Sequence, residues 1–162
     1  MHLDRIVELL LLLAVANGTP IVVKRLFGDF LIYPLDGGLT LFDGRPLFGS
    51  SKTIRGIVAS IAATTSMAPL VGVSLMIGLI IGVVAMGGDL LSSFVKRRMG
   101  YTSSSRAFGL DQIPESLLPA LVCKDPLGLS PLDIVLVVAM FLLGEIMLSR
   151  LMFRLHIREQ PY

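Results

Sequence analysis

The sequence predicts an all-α integral membrane protein of about five transmembrane helices with two long cytoplasmic loops. Three observations carry that expectation. Hydrophobic residues fill 54% of the 162 positions and charged residues only 16%, too few polar side chains to cover a water-soluble surface. The apolar residues form long unbroken runs, and roughly 20 of them are needed for one helix to cross a hydrocarbon core about 30 Å thick. Backbone groups in that core have no water to bond, which leaves helices or a closed barrel, and long runs favour helices. The third observation is the distribution of Lys and Arg, which separates the polar segments into a basic face and a nearly uncharged one.

The first helix is expected over about 6–23, with Asn17, Gly18, Thr19 and Pro20 in its second half. A charged start followed by Leu9 to Ala16 resembles a secretory signal, but the apolar stretch continues to Val23 and further spans follow, so it reads as a retained helix. Residues of about 24–53 turn charged and rich in Gly and Pro, a loop long enough to expect a function. No charge occurs between Arg55 and Asp89. One helix over that distance would be far longer than a bilayer is thick, and Pro69 with Gly72 divides it into helices of about 54–68 and 73–98. A second polar loop over about 99–110 leads to a short helix of about 112–123, whose first turn accommodates Pro114. Lys124 to Gly128 turn the chain into a last helix of about 131–155. Neither an internal repeat nor a low-complexity tract interrupts residues 1–162, which read as a single transmembrane domain.

Five spans put the termini on opposite sides. One face then receives Lys24, Arg25, Arg45, Lys52, Arg55, Lys96, Arg97, Arg98, Arg106, Arg150, Arg154 and Arg158; the other holds only Arg5 and Lys124. The positive-inside rule makes the first face cytoplasmic, with the N-terminus outside and the C-terminus in the cytoplasm. Cys123 has no cysteine to pair with, and His2 and His156 lie near opposite termini, so neither a disulfide nor a zinc site is expected.

Candidate chemistry gathers on the basic face. Asp89, Ser93 and Lys96 are spaced i, i+4, i+7, a single polar stripe at the cytoplasmic end of the third helix, which Arg97 extends. Lys96 to Arg98 alone would serve as interface anchors, but Asp89 lies about two turns deeper, where a carboxylate is costly and Gly87 and Gly88 permit close approach. Asp111 and Glu115 share a face of the fourth helix; Asp111 is also a good N-cap. Paired hard oxygen ligands beside basic side chains suit a magnesium-bound polyphosphate. Between Gly44 and Thr53 the sequence looks like a phosphate-binding P-loop, but Ser51 stands where Gly must precede the Lys, and no strand leads into it. Gly78 and Gly82 form a G-x-x-x-G pair suited to helix packing, and Glu145 is expected to face the bundle interior.

These segments resemble the archaeal CDP-archaeol synthase family, a branch of the wider CDP-diacylglycerol synthase group. The strings that carry the resemblance are Ala16-Asn17 with Pro20, Phe48 to Gly56 (FGSSKTIRG), Gly88-Asp89-Leu90, Ser93 to Arg98 (SFVKRR) and Leu110 to Glu115 (LDQIPE). The Pro-Gly-His-Gly-Gly run of the bacterial branch is absent. The resemblance implies transfer of the cytidylyl group of CTP to 2,3-di-O-geranylgeranylglyceryl phosphate, an unsaturated ether-lipid phosphate, with Mg²⁺ as cofactor and pyrophosphate released. On that basis Asp89 and Asp111 are expected to ligate Mg²⁺. Lys52, Arg55, Lys96 and Arg97 are expected to hold the triphosphate, and Thr53 and Ser93 to add hydrogen bonds. Asn17, Asp36 and Gln112 are assigned to the cytosine, ribose or lipid phosphate. No nucleic acid and no obligate protein partner is implied. A CDP-alcohol phosphotransferase is disfavoured, since its D-G-x-x-A-R pattern survives only as Asp43-Gly44-Arg45. A small transporter or anionic-lipid-binding protein is the remaining alternative, although lipid binding alone would gain nothing from the two carboxylates.

Overall fold

A computed structural model describes residues 2–103, 105 and 107–154, with the backbone alone for Ser149–Arg154. Arg106, His156 and Arg158 therefore lie outside the described residues, as do the side chains of Arg150 and Arg154. Six helices follow in order: α1 (Leu3–Phe27), α2 (Ile54–Met67), α3 (Leu75–Arg98), α4 (Gln112–Val122), α5 (Lys124–Leu127) and α6 (Pro131–Arg154). A 3-10 turn, Ala68–Val71, separates α2 from α3, with Pro69 at its start and Gly72 left-handed at its end. Among the described residues the only β pairing is two isolated bridges, Pro34 with Thr53 and Thr40 with Pro46.

Consecutive helices pack as neighbours, and α6 closes the bundle against α4 and α1. The buried face of α1 is Ile6, Leu9, Leu12, Leu13 and Ala16, a stripe with helical spacing, while Val7, Leu11, Val22 and Leu26 remain exposed. That is the pattern of a helix apolar all round, touching protein on one side and lipid on the other.

Four elements are long and apolar enough to cross a bilayer: Leu3–Phe27, Ile54–Val71, Leu75–Arg98 and Pro131–Leu148. Where the sequence predicts a short fourth helix of about 112–123, α4 has 11 residues and reaches only about 16 Å, less than a full span. The reason lies in where it starts. The loop after α3 turns back into the bundle, so that the carbonyl of Pro114 lies against Gly88, ten residues and about 15 Å below the end of α3. The α4 helix needs to complete only the remaining depth. The backbone nitrogen of His2 donates to Asp133 at 3.3 Å, which brings the starts of α1 and α6 to one end of the bundle and requires α4 and α5 to return the chain there.

Small residues set the helix spacing. A Cβ at Gly78 would collide with that of Ala68, and one at Gly82 would lie 3.2 Å from Ile61 Cα, so the pair lets α3 lie against α2 and its 3-10 turn. Within α1, Pro20 has no N–H to give the Ala16 carbonyl four residues earlier. The Ser60 hydroxyl of α2 donates to that carbonyl instead, at 2.6 Å and fully buried, supplying the partner that hydrocarbon cannot.

Two substitutions test this packing. Ser60→Ala should lower stability in detergent by about 1–2 kcal/mol, the cost of a buried unpaired carbonyl, with Ser60→Thr recovering part of the loss. Gly88→Ala would place a methyl 2.5 Å from the Pro114 carbonyl oxygen, whereas Gly87 has open space around it. Thermal unfolding should show Gly88→Ala destabilised by about 1–3 kcal/mol and Gly87→Ala unchanged or slightly stabilised.

Candidate active site

The site is built where two loops fold onto the inner end of α3. The first loop, residues 28–53, is tied at three places. Leu35 N donates to the Lys52 carbonyl at 2.7 Å, and Ile54 N to that of Tyr33 at 3.0 Å. The Asp36 carboxylate accepts from Gly38 N at 3.0 Å through Oδ1, and from Phe48 N and Gly49 N, both at 2.9 Å, through Oδ2. Arg45 donates to the terminal carbonyls of α3 at Arg97 and Arg98, while Arg98 pairs with Asp43 at 2.6 Å and lies over the Phe94 ring. A guanidinium on the last carbonyls of a helix also sits favourably at the negative end of its dipole.

This clamped loop delivers Lys52 into the bundle. Its Nζ contacts both carboxylate oxygens of Asp89, at 2.5 Å to Oδ1. Two turns further along α3, Lys96 Nζ lies 2.6 Å from Asp111 Oδ1 and donates to the Ser105 carbonyl at 2.9 Å. The lysine and Asp111 form a close ion pair, and Asp111 Oδ2 accepts from Ala107 N at 3.1 Å. Asp111 makes no cap bond to α4, so its carboxylate serves the pair with Lys96 rather than the helix end.

Arg97 completes the group. It is 3% exposed, yet its Nε and Nη1 have no hydrogen-bond partner among the described residues. Gly49 packs beside it: with φ at +94°, a Cβ there would meet Ser103 Oγ and lie 3.6 Å from Arg97 Nη1. A buried guanidinium with free donors is costly unless an anion completes it.

Five of the residues singled out from the sequence thus come together: Lys52, Asp89, Lys96, Arg97 and Asp111. Ser93 is buried on the same α3 face. Others are turned to the backbone. Arg55 holds the carbonyls of Gly28 and Phe30, Thr53 Oγ1 accepts from Gly56 N as the N-cap of α2, and Asp36 organises the loop as above. Gln112 accepts from Gly109 N at 2.9 Å and donates to Glu145 of α6 at 3.1 Å. Asn17 lies apart in α1, where its Nδ2 is buried without a partner.

Sequence reasoning left Glu115 and Glu145 without a role. Glu115 is 5% exposed, and its backbone lies where α4 approaches Gly88, beside Asp89; its four-residue spacing from Asp111 was the available signal. Glu145 had no local signal, because its partner Gln112 is 33 residues away. Among the described residues no three His, Cys, Asp or Glu side chains converge as a metal cage.

For Asp36, burial pushes the carboxyl up, but the N–H groups of Gly49, Phe48 and Gly38 outweigh it and hold its pKa below the ordinary 3.8. A depressed folded pKa contributes stability fully above the unfolded value of about 3.9 and loses it as pH falls through the folded value. Asp36→Ala should therefore speed hydrogen exchange at the Phe48 and Gly49 amides at neutral pH. The wild-type protection should persist to about pH 4 and fade only below it.

The comparisons with known proteins agree on one family. The family model described as CarS-like, CDP-archaeol synthase, matches residues 63–162. The CDP-archaeol synthase of Pyrobaculum calidifontis is 37% identical over 128 residues, covering 74% of this chain and 76% of its own. That of Sulfurisphaera tokodaii is 31% identical over 156 residues, covering 91% and 89%. A solved structure, described as giving structural insight into an intramembrane enzyme for archaeal membrane lipids biosynthesis, superposes with a TM-score of 0.71 at 29% identity, over 85% of this chain and 90% of that one.

Proposed function

Since the chain belongs to the CDP-archaeol synthase family, we propose that its buried cluster of two lysine–aspartate pairs beside Arg97 is where CTP meets a lipid phosphate. The enzyme is a multi-pass membrane cytidylyltransferase of archaeal lipid synthesis. Its lipid acceptor is the unsaturated ether-lipid phosphate 2,3-di-O-geranylgeranylglyceryl phosphate, and the basic face is cytoplasmic, where CTP is found.

The observation that carries the reading is Arg97, a buried guanidinium next to Lys96 whose Nε and Nη1 have no hydrogen-bond partner among the described residues, on the helix that also carries Asp89 and Lys96 of the two ion pairs. An anion entering this space would complete the Arg97 donors and draw Lys52 and Lys96 from the carboxylates onto phosphate oxygens. The aspartates released in this way are hard ligands. The donor set fits magnesium: Lys52 Nζ, itself a cation, already lies across both Asp89 oxygens, and Lys96 Nζ lies 2.6 Å from Asp111 Oδ1, so each carboxylate already faces a cation. Asp89 and Asp111 would hold the ion, which would supply charge neutralisation on the triphosphate.

An oxygen of the lipid phosphate attacks the α-phosphorus of CTP, a new P–O bond forms, and the α–β bridge breaks with its electron pair leaving on pyrophosphate. The acceptor is a phosphate monoester with a second pKa of about 6, mostly dianionic at neutral pH, so no general base is needed. The protein's share is alignment and charge stabilisation. Lys52, Lys96 and Arg97 hold the triphosphate and the departing pyrophosphate, and Ser93 adds a hydrogen bond. Asp36, Thr53 and Arg55 act one step back, by fixing the loop that carries Lys52. Gln112, bridged to Glu145, keeps the loop before α4 in place, and Asn17 offers a buried amide on the α1 side.

Purified protein given CTP, Mg²⁺ and a geranylgeranyl ether-lipid phosphate should form CDP-lipid and pyrophosphate, and chelation by EDTA should stop turnover until Mg²⁺ is restored. Asp89→Ala and Asp111→Ala should each lower kcat by about 100-fold or more. Full activity in both folded variants, or release of CMP without a CDP-lipid, would overturn the assignment.

A further inference from the structure

The first loop carries large apolar side chains that the bundle leaves uncovered. Phe42 is 100% exposed, Phe30 66%, Tyr33 63%, Leu39 56% and Leu31 51%. Facing water, such a set would be an unexplained apolar surface. Leu31 moreover adopts φ +54°, a left-handed conformation unfavourable for a non-glycine residue, and nothing offsets it if the side chain it displays is simply hydrated.

The height of these residues is fixed by their ties. Residues 33–35 pair with 52–54 at the start of α2. The carbonyls of Gly28 and Phe30 are held by Arg55 in the first turn of α2. Asp43, adjacent to Phe42, pairs with Arg98 at the end of α3. All three anchor points are helix ends on the basic face, the level at which membrane-spanning helices leave the hydrocarbon. The exposed surface of α1 also continues into the loop, through Val22, Leu26 and Phe27 to Phe30 and Leu31. Lys24 and Arg25 are exposed on the same stretch, opposed there by Asp29, a balance that favours contact with anionic headgroups.

We propose that this loop is an interfacial anchor, with Phe30, Leu31, Tyr33, Leu39 and Phe42 inserted at the headgroup–acyl boundary of the leaflet on the basic face. Aromatic and leucine side chains beside Lys and Arg are the composition that partitions there. The proposal concerns where the loop lies and is independent of the chemistry assigned to the site.

The chain has no tryptophan, so Phe42→Trp installs a single reporter, and Leu39→Trp provides a second should the first misfold. In proteoliposomes of mixed phosphatidylcholine and phosphatidylglycerol, the indole should emit at blue-shifted wavelength and resist aqueous iodide. Lipids brominated near the headgroup end of their chains should remove roughly half of the emission, because insertion reaches about 5–10 Å into that boundary. Water-like emission quenched by iodide overturns the proposal. So does blue-shifted emission that bromine leaves unchanged and that reverts on diluting protein into excess lipid, which would mean a second copy covers the loop.

Discussion

The ion pair between Lys52 and Asp89 joins a loop to the interior of a membrane-spanning helix, and much of the architecture is arranged around making that contact possible. A carboxylate at the depth of Asp89 is costly without a partner, and the partner must come from a segment able to reach down from the helix ends. The loop can reach because Asp36 gathers its backbone, Arg45 and Arg98 fasten it to the end of α3, and Thr53 starts α2 immediately after the lysine. Loss of any one of these ties would move Lys52 relative to Asp89 before it touched the pair itself.

A second consequence of burying charge is that the site keeps its cations in reserve. Paired lysines can be held in a low-dielectric bundle where isolated ones cannot, and a pair is easily exchanged when a stronger anion arrives. Arg97 differs, because its free donors have no partner to exchange among the described residues. Under the proposed function, the two ion pairs are contacts that a bound polyanion would exchange and the Arg97 donors are ones it would complete.

Much of this was legible in the sequence, for reasons that can be named. Helical spacing alone placed Asp89, Ser93, Lys96 and Arg97 on one stripe, and the structure keeps them together because α3 is a regular helix over the whole stretch. The break between α2 and α3 follows from Pro69 and Gly72. The depth at which a helix begins is not written locally. Counting apolar residues showed that the fourth helix is short but not how deep it begins, so the inward turn of the loop before α4 was invisible. Partners were equally hidden: Arg55, Thr53 and Asp36 belong to a string that reads as phosphate-binding, yet their hydrogen bonds go to the chain itself. The contact of Glu145 with Gln112 depends on α6 packing against α4, which no spacing rule supplies.

The order of the pairs along the chain also bears on how the protein enters a bilayer. Lys52 precedes Asp89 and Lys96 precedes Asp111, so synthesis from the N-terminus presents each cation before the acid it will neutralise. When α3 inserts, the counter-charge for its carboxylate has already been made and is tethered one helix away. An acid placed first would have to enter the hydrocarbon alone, at about 2.5–3.5 kcal/mol, and wait for a partner still on the ribosome. Read in the direction of translation, each of the two ion pairs has its cation on the N-terminal side of its acid.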